Sequence, residues 1–336
     1  MVKVGINGFG SIGRRFFRIA RQQEVFEVVA INDLGDTATM AHLLKYDSNY
    51  GRYNGEITTG SGQIIVDGRP IQYLQERDPG AIDWRALGVE IVIECTGLFN
   101  DPAKARAHID RGGAKRVILS APAKGEGATT IVLGVNEKTY DPVHDTVISN
   151  ASCTTNCLAP IAKVMDDTFG IVEGLMTTVH SYTNDQRLLD LPHPDLRRAR
   201  AAAMNIIPTS TGAAKALHLV LPQLEGKLNG ISLRVPTPVV SIVDLTVRTV
   251  KPVTVDTINQ AMKSAASGPM QGILGYTDER LVSMDFKGDS HSSIFDSRET
   301  MVVGDHFAKI LSWYDNEWGY SSRLVDLTAF VARQDH

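Results

Sequence analysis

Short apolar runs alternating with amphipathic stretches organise the first half of the chain. Val2 to Asn7 is a short apolar run that predicts a strand, Ser11 to Arg21 has helical spacing, and Glu27 to Asn32 predicts a second strand. Further strands are predicted at Glu90 to Cys95, Arg116 to Ser120 and Thr146 to Ser149, with a helix from Asp101 to Arg111 between two of them. Such alternation points to a parallel sheet with helices on both faces. Gly55 to Leu74 breaks the pattern and reads as a small antiparallel insertion.

The character changes after a helix-like stretch from Leu158 to Thr168. Ile171 to His180, Leu228 to Val235, Val239 to Val250 and Phe307 to Trp313 are long β-rich runs, which predict a mostly antiparallel sheet. Asn184 to Pro208 is polar and basic and contains Pro192 and Pro194. A loop of that length is usually functional or buried in an interface. Gly319 to Val331 predicts a closing helix with Leu324, Leu327 and Phe330 as its apolar positions. The expected architecture is α/β. A Rossmann-type dinucleotide-binding domain spans 1–152 and is completed by the C-terminal helix 316–336, and an α+β catalytic domain with a mostly antiparallel sheet spans 153–315.

Bulk properties narrow the class. The chain has 336 residues, 43% hydrophobic and 21% charged, with a net charge of -4, as in soluble globular proteins. That charge gives no reason to expect a nucleic-acid or membrane-surface partner. No apolar run approaches the roughly 20 residues of a membrane span. Cys95, Cys153 and Cys157 are too few for a disulfide framework, so a cytoplasmic location is expected, and no Cys/His spacing resembles a metal site.

Gly8-Phe9-Gly10-Ser11-Ile12-Gly13 matches G-x-G-x-x-G directly after the first predicted strand and at the start of the first helix. Gly8 permits the tight turn, Gly10 lets backbone approach a pyrophosphate, and Gly13 lets helix pack on strand. Backbone N–H groups at Ser11 and Ile12 then face the phosphates. Asp33, at the end of the second strand, is placed to accept from a ribose 2′-hydroxyl and to repel a 2′-phosphate, which favours NAD over NADP.

Ser149-Asn150-Ala151-Ser152-Cys153-Thr154-Thr155-Asn156-Cys157 runs from a β-like segment into a helix. Cys153 therefore stands at or near a helix N-terminus, where its thiol pKa is expected to fall and a thiolate nucleophile to form. Cys157, four residues on, is expected to be a small buried residue. His180 ends a strand and is the candidate base.

This cysteine motif, together with His180-Ser181-Tyr182-Thr183-Asn184-Asp185, Thr209-Ser210-Thr211-Gly212-Ala213-Ala214-Lys215, Leu233-Arg234-Val235-Pro236-Thr237 and Trp313-Tyr314-Asp315-Asn316-Glu317-Trp318-Gly319-Tyr320, resembles the phosphorylating glyceraldehyde-3-phosphate dehydrogenases. The resemblance runs from Lys3 to about Phe330. It implies that Cys153 attacks the aldehyde of D-glyceraldehyde 3-phosphate and that His180 acts as base while hydride passes to NAD. A thioester then passes to inorganic phosphate as 1,3-bisphosphoglycerate.

The same resemblance assigns one anion subsite to Thr183 and Arg234, another to Ser152, Thr154, Thr211 and Gly212, and a further phosphate contact to Arg198. It adds Arg77, Thr96, Gly97, Ser120 and Asn316 to the cofactor contacts, with Tyr320 beside them. Leu34 and Leu191-Pro192 match its NAD-using branch, and Leu191-Pro192 imply a homotetramer. The family usually has arginine where this chain has Ser11; that contact is made by backbone N–H, so NAD binding is expected to survive. Erythrose-4-phosphate dehydrogenase is the nearest rival, disfavoured by Tyr182-Thr183-Asn184 and Thr211-Gly212. A non-catalytic NAD-binding thiol sensor is a reading from another class.

Overall fold

The structure is a computed structural model and describes residues 1–335. The chain divides into two compact units. One comprises Met1–Ile131, Lys138–Ala151 and the segment from Ser321 onward; the other comprises Val132–Glu137 and Ser152–Tyr320.

The first unit is built on a nine-stranded sheet with Val2–Asn7 near its middle, paired in parallel with Phe26–Asn32 on one side and Ile91–Glu94 on the other. Arg116–Leu119, Val147–Ser149 and Thr129–Thr130 continue the parallel order beyond Ile91–Glu94. This is the doubly wound, Rossmann-type arrangement expected from the alternating pattern. Central strands buried on both faces read as continuous apolar runs, and Ile91, Val92 and Ile93 follow that rule. Trp84 lies fully buried in the core beside Ala30, Val92, Ala105 and Val117.

One local expectation is extended and another needs correction. Gly55 to Leu74 is antiparallel as expected and also joins the main sheet. Ile57–Gly60, Gln63–Val66 and Arg69–Leu74 pair antiparallel with one another, but Arg69–Leu74 also pairs in parallel with Phe26–Asn32, so the group extends the main sheet. The stretch Asp101 to Arg111 is not one helix. It forms two single turns, Pro102–Ala105 and Ala107–Asp110, with Asp101 capping the first and Pro102 in its first turn.

The second unit carries a seven-stranded sheet ordered Ile207–Ser210, Leu228–Val235, Ile171–Ser181, Ser241–Thr249, Phe307–Tyr314, Ser293–Val303 and Leu274–Thr277. It is mostly antiparallel; Ile171–Ser181 with Leu228–Val235 and Leu274–Thr277 with Ser293–Val303 are its parallel pairs. Met176, Thr178 and His180 alternate on the buried face of Ile171–Ser181. The helix Cys153–Phe169 packs on this sheet and buries Cys157, Leu158, Ile161, Ala162 and Met165. Val255–Ala266, started by a Thr254/Thr257 capping box, packs beside it.

Candidate active site

The glycine loop of the first unit has the shape its sequence implies. Gly8 sits at φ +93°, where a Cβ would lie 2.6 Å from Thr96 N, so two loops meet there with no room for a side chain. A Cβ at Gly13 would lie 2.2 Å from Gly8 O, whereas one at Gly10 meets nothing within 4 Å. Space is thus left only where a ligand would approach. The helix Ser11–Ala20 begins at Gly10 with no side-chain cap and no acidic residue in its first turn, which keeps its N-terminus suited to an anion.

Asp33 follows Phe26–Asn32 and accepts from Phe9 N–H at 2.7 Å and from Gly35 N–H at 2.9 Å. A carboxylate has about four lone-pair sites, so capacity for ribose hydroxyls remains. Thr96 and Gly97 form the turn after Ile91–Glu94, with Gly97 at φ +75°. Ser120 follows Arg116–Leu119, and its N–H donates to Glu94 O at 3.0 Å. Arg77 and Leu34 are exposed. These residues fit a dinucleotide: a bare loop, an uncapped helix end and a carboxylate at the strand tip.

In the second unit Cys153 is the first residue of its helix. Ser152 caps the helix, its Oγ accepting from Thr155 N–H at 2.9 Å. Ala151 enters the turn at φ 54°, a left-handed conformation uncommon for a side chain with a Cβ. The Cys153 sulfur lies 3.4 Å from His180 Nε2. The parallel register sets His180 directly opposite Arg234 on the neighbouring strand, so both side chains share one face.

His180 Nδ1 lies 2.6 Å from Ser181 O and 2.8 Å from Arg234 Nη1. Only one of these contacts can be a hydrogen bond, because the carbonyl needs a proton on Nδ1 and the guanidinium needs a lone pair there. The shorter one fixes Nδ1–H donating to Ser181 O, while Arg234 Nη1 donates to the same oxygen at 3.1 Å. Nε2 then carries the lone pair and faces the thiol, as a base must. Burial pushes the imidazole down to about 3, and the Arg234 charge adds to that, so the ring is neutral at physiological pH.

The expected lowering of the Cys153 thiol is not what the structure gives. Burial pushes the thiol above its ordinary value and outweighs the opposing pull of Arg234, the Thr154 hydroxyl and the N–H groups of Thr154 and Cys153. The helix end is present, but desolvation dominates. The resting pair is therefore thiol and neutral imidazole. Cys157 is buried against Ser293 and Ser312, and burial pushes its thiol up to about 12, which makes it inert.

The anion-binding candidates divide. Arg234 leaves its buried Nε without a hydrogen-bond partner, a donor that an anion would satisfy. Arg198 is not a loose surface charge: its Nε donates to Thr209 Oγ1 at 2.9 Å and its Nη1 pairs with Asp185. Thr183 is half-buried, and its N–H donates to Gln186 Oε1 at 3.3 Å. Thr154 departs from expectation. Its buried hydroxyl meets Tyr314 OH at 2.9 Å, and Tyr314 OH meets Thr178 Oγ1 at 2.8 Å, so the Thr154 hydroxyl is shared with a buried chain of hydroxyls. Ser152 Oγ is engaged as the helix cap.

Thr211 Oγ1 accepts from Ala213 N–H at 3.2 Å, while Gly212 is exposed with open space where a Cβ would stand. A cleft of about 690 Å³ reaches both, lined also by Arg197, Thr209 and Lys215; neither Cys153 nor His180 lines it. Asn316 is buried, its Oδ1 accepting from Ser241 Oγ at 3.0 Å. Asp315 beside it accepts from the N–H groups of Gly288 and Trp318, both at 2.8 Å, which fixes the turn bearing Asn316. Tyr320 is buried. The Tyr314 hydroxyl chain and the bracing of Asn316 by Asp315 and Ser241 escaped the sequence reading. Hydroxyl residues scattered over distant strands carry no local spacing signal.

The family described as "Glyceraldehyde 3-phosphate dehydrogenase, NAD binding domain" matches residues 2–102, and "Glyceraldehyde 3-phosphate dehydrogenase, C-terminal domain" matches residues 152–316. Glyceraldehyde-3-phosphate dehydrogenase 2 of Streptomyces avermitilis is 60% identical over 334 residues, covering 99% of each chain. Glyceraldehyde-3-phosphate dehydrogenase of Geobacillus stearothermophilus is 58% identical over 98% of each, and that of Borreliella burgdorferi is 59% identical over 97% of this chain and 98% of its own. With both halves matched and such identity along nearly its whole length, this chain belongs to the glyceraldehyde-3-phosphate dehydrogenase family.

Proposed function

We propose that the chain oxidises the aldehyde of D-glyceraldehyde 3-phosphate with NAD and transfers the acyl group to inorganic phosphate, giving 1,3-bisphosphoglycerate. The observation that carries the reading is the 3.4 Å approach of Cys153 Sγ to His180 Nε2 at a helix N-terminus.

Cys153 Sγ attacks the aldehyde carbon as its proton passes to His180 Nε2, and the helix-end N–H groups support the oxyanion before it becomes the thiohemiacetal hydroxyl. NAD, when bound, supplies the hydride acceptor. As hydride leaves the carbinol carbon, neutral His180 takes the hydroxyl proton, and a thioester remains on Cys153. A phosphate oxygen then attacks the thioester carbonyl, the C–S bond breaks, and the sulfur recovers a proton from His180. Gly8, Gly10, Ser11, Ile12, Gly13, Asp33, Arg77, Thr96, Gly97, Ser120 and Asn316 are the cofactor contacts of this reading.

Thr183 and Arg234 form one anion subsite, Thr211 and Gly212, with the Thr154 N–H and Ser152, the other, and Arg198 is a further phosphate contact. The orphan Nε of Arg234 supports the first and the open backbone at Gly212 the second. A homotetramer fits the exposed Leu188, Leu189, Leu191, Leu196, Met204 and Ile206, apolar side chains of one loop that a subunit contact would cover. Three free cysteines fit a reducing cytoplasm.

Product analysis tests the reaction. Turnover with phosphate should give the acyl phosphate, and withholding phosphate should stall after one NADH per site. Steady release of the free acid without phosphate would favour the erythrose-4-phosphate dehydrogenase reading.

A further inference from the structure

Ile91–Glu94 ends on a carboxylate in a fully buried position, and this group takes no part in the chemistry described above. Asn7 Nδ2 donates to Glu94 Oε2 at 2.6 Å, His108 Nε2 donates to the same oxygen at 3.1 Å, and Thr96 N–H donates to Oε1 at 2.7 Å. The Thr96 hydroxyl also donates to Oε1. Four donors fill the four lone-pair sites of the carboxyl group.

The histidine is set by its other edge. Trp84 Nε1 lies 2.9 Å from His108 Nδ1, and an indole N–H can only donate. Nδ1 is therefore the acceptor, and Nε2 carries the proton. Trp84 packs directly on two glycines: a Cβ at Gly5 would lie 2.5 Å from its ring, and one at Gly112 2.7 Å. Asn7 Oδ1 in turn accepts from Asn32 Nδ2 at 2.7 Å, and the Asn32 carbonyl accepts from Gly8 N–H at 2.8 Å.

We propose that Glu94, oriented by His108, is a positioning residue for NAD binding: its carboxylate clamps Asn7, the residue before the glycine loop, to the Thr96–Gly97 turn. Both clamped segments belong to the cofactor contacts, and they meet so closely that Gly8 admits no Cβ against Thr96. The clamp holds the loop in its ligand-ready shape before the dinucleotide arrives, so binding does not have to order it. The inference rests on NAD binding by this unit.

The test uses Glu94→Gln, which keeps size but sets an amide NH2 against donors, with His108→Gln as the conservative control, since Gln offers both a donor for Glu94 and an acceptor for Trp84. NAD affinity is read by titration calorimetry and the second unit by the iodoacetamide alkylation rate of Cys153 without NAD. Glu94→Gln should weaken NAD by about tenfold or more while the alkylation rate stays at wild type, and His108→Gln should keep near-wild-type affinity. A folded Glu94→Gln that binds NAD like wild type overturns the clamp, as does equal weakening by His108→Gln. Hydrogen exchange of wild type needs no variant: the Thr96 amide should be protected without NAD, and fast exchange overturns the proposal even if Glu94→Gln does not fold. Wild type that bound no NAD would instead sink the dinucleotide reading itself.

Discussion

Arg234 Nη1 stands 2.8 Å from Nδ1 of His180, while Nε2 of the same ring faces the Cys153 sulfur. One guanidinium thus acts on both partners, favouring the thiolate and disfavouring the imidazolium. Arg234→Gln should raise the pKa of both groups. The pH profile of Cys153 alkylation should move to higher pH, and kcat/KM should fall by about 10- to 100-fold through loss of a charge-assisted anion contact. Alkylation that shifts to lower pH would contradict this geometry.

His180 also couples stability to pH. Its folded value, about 3, lies below the ordinary histidine value of about 6.5, so on acidification the unfolded chain takes up the proton first. The stability contributed by the neutral buried ring is complete above pH about 6.5 and is lost as pH falls from there towards about 3. His180→Gln removes this linkage. Urea melts of wild type and variant from pH 7 down to pH 4 should show wild type losing more stability, by an amount on the order of 1 kcal/mol or more.

On the proposed reading cofactor choice rests on Asp33, which holds Phe9 N–H and presents its carboxylate at the strand tip. Wild type should prefer NAD to NADP by at least about 100-fold in kcat/KM. Asp33→Asn should weaken NAD by about tenfold, since one oxygen is replaced by a donor that cannot accept. Wild type turning over NADP faster than NAD would remove the assigned role.

Much of this was legible in the sequence, and what was not has a physical cause. The glycine loop, Asp33, Cys153 and His180 were readable because each is tied to a strand end or helix start by local spacing. Helix Thr37–Lys45 was missed because its mixed pattern has few buried positions, Ala41 and Leu44. Strand Ser293–Val303 was missed because the register slips between Asp296 and Met301 and breaks the alternation. The direction of the Cys153 shift was misjudged because a helix terminus is a local feature, whereas desolvation comes from distant strands. The Glu94 clamp left one visible trace, an acid ending the apolar run Ile91-Val92-Ile93, but its partners lie too far away in sequence to be paired by inspection.

Tyr314 joins Thr154 and Thr178 through one buried hydroxyl. Tyr314→Phe keeps the ring but strands both threonine hydroxyls, and should destabilise the protein by about 1–3 kcal/mol. Chemical denaturation measures this directly; a variant as stable as wild type would show that the chain of hydroxyls contributes nothing net.

Ser11→Arg, which restores the residue usual in the family, should leave the NAD dissociation constant within about threefold, because the pyrophosphate contact expected there is a backbone N–H. A large fall in that constant on titration would contradict the backbone assignment.

The most direct measurement follows the NADH absorbance band in purified protein given NAD, D-glyceraldehyde 3-phosphate and phosphate, with Cys153→Ser alongside. Wild type should produce NADH continuously, and Cys153→Ser should produce none while binding NAD with near-wild-type affinity. A Cys153→Ser protein that kept full activity would contradict covalent catalysis at this sulfur.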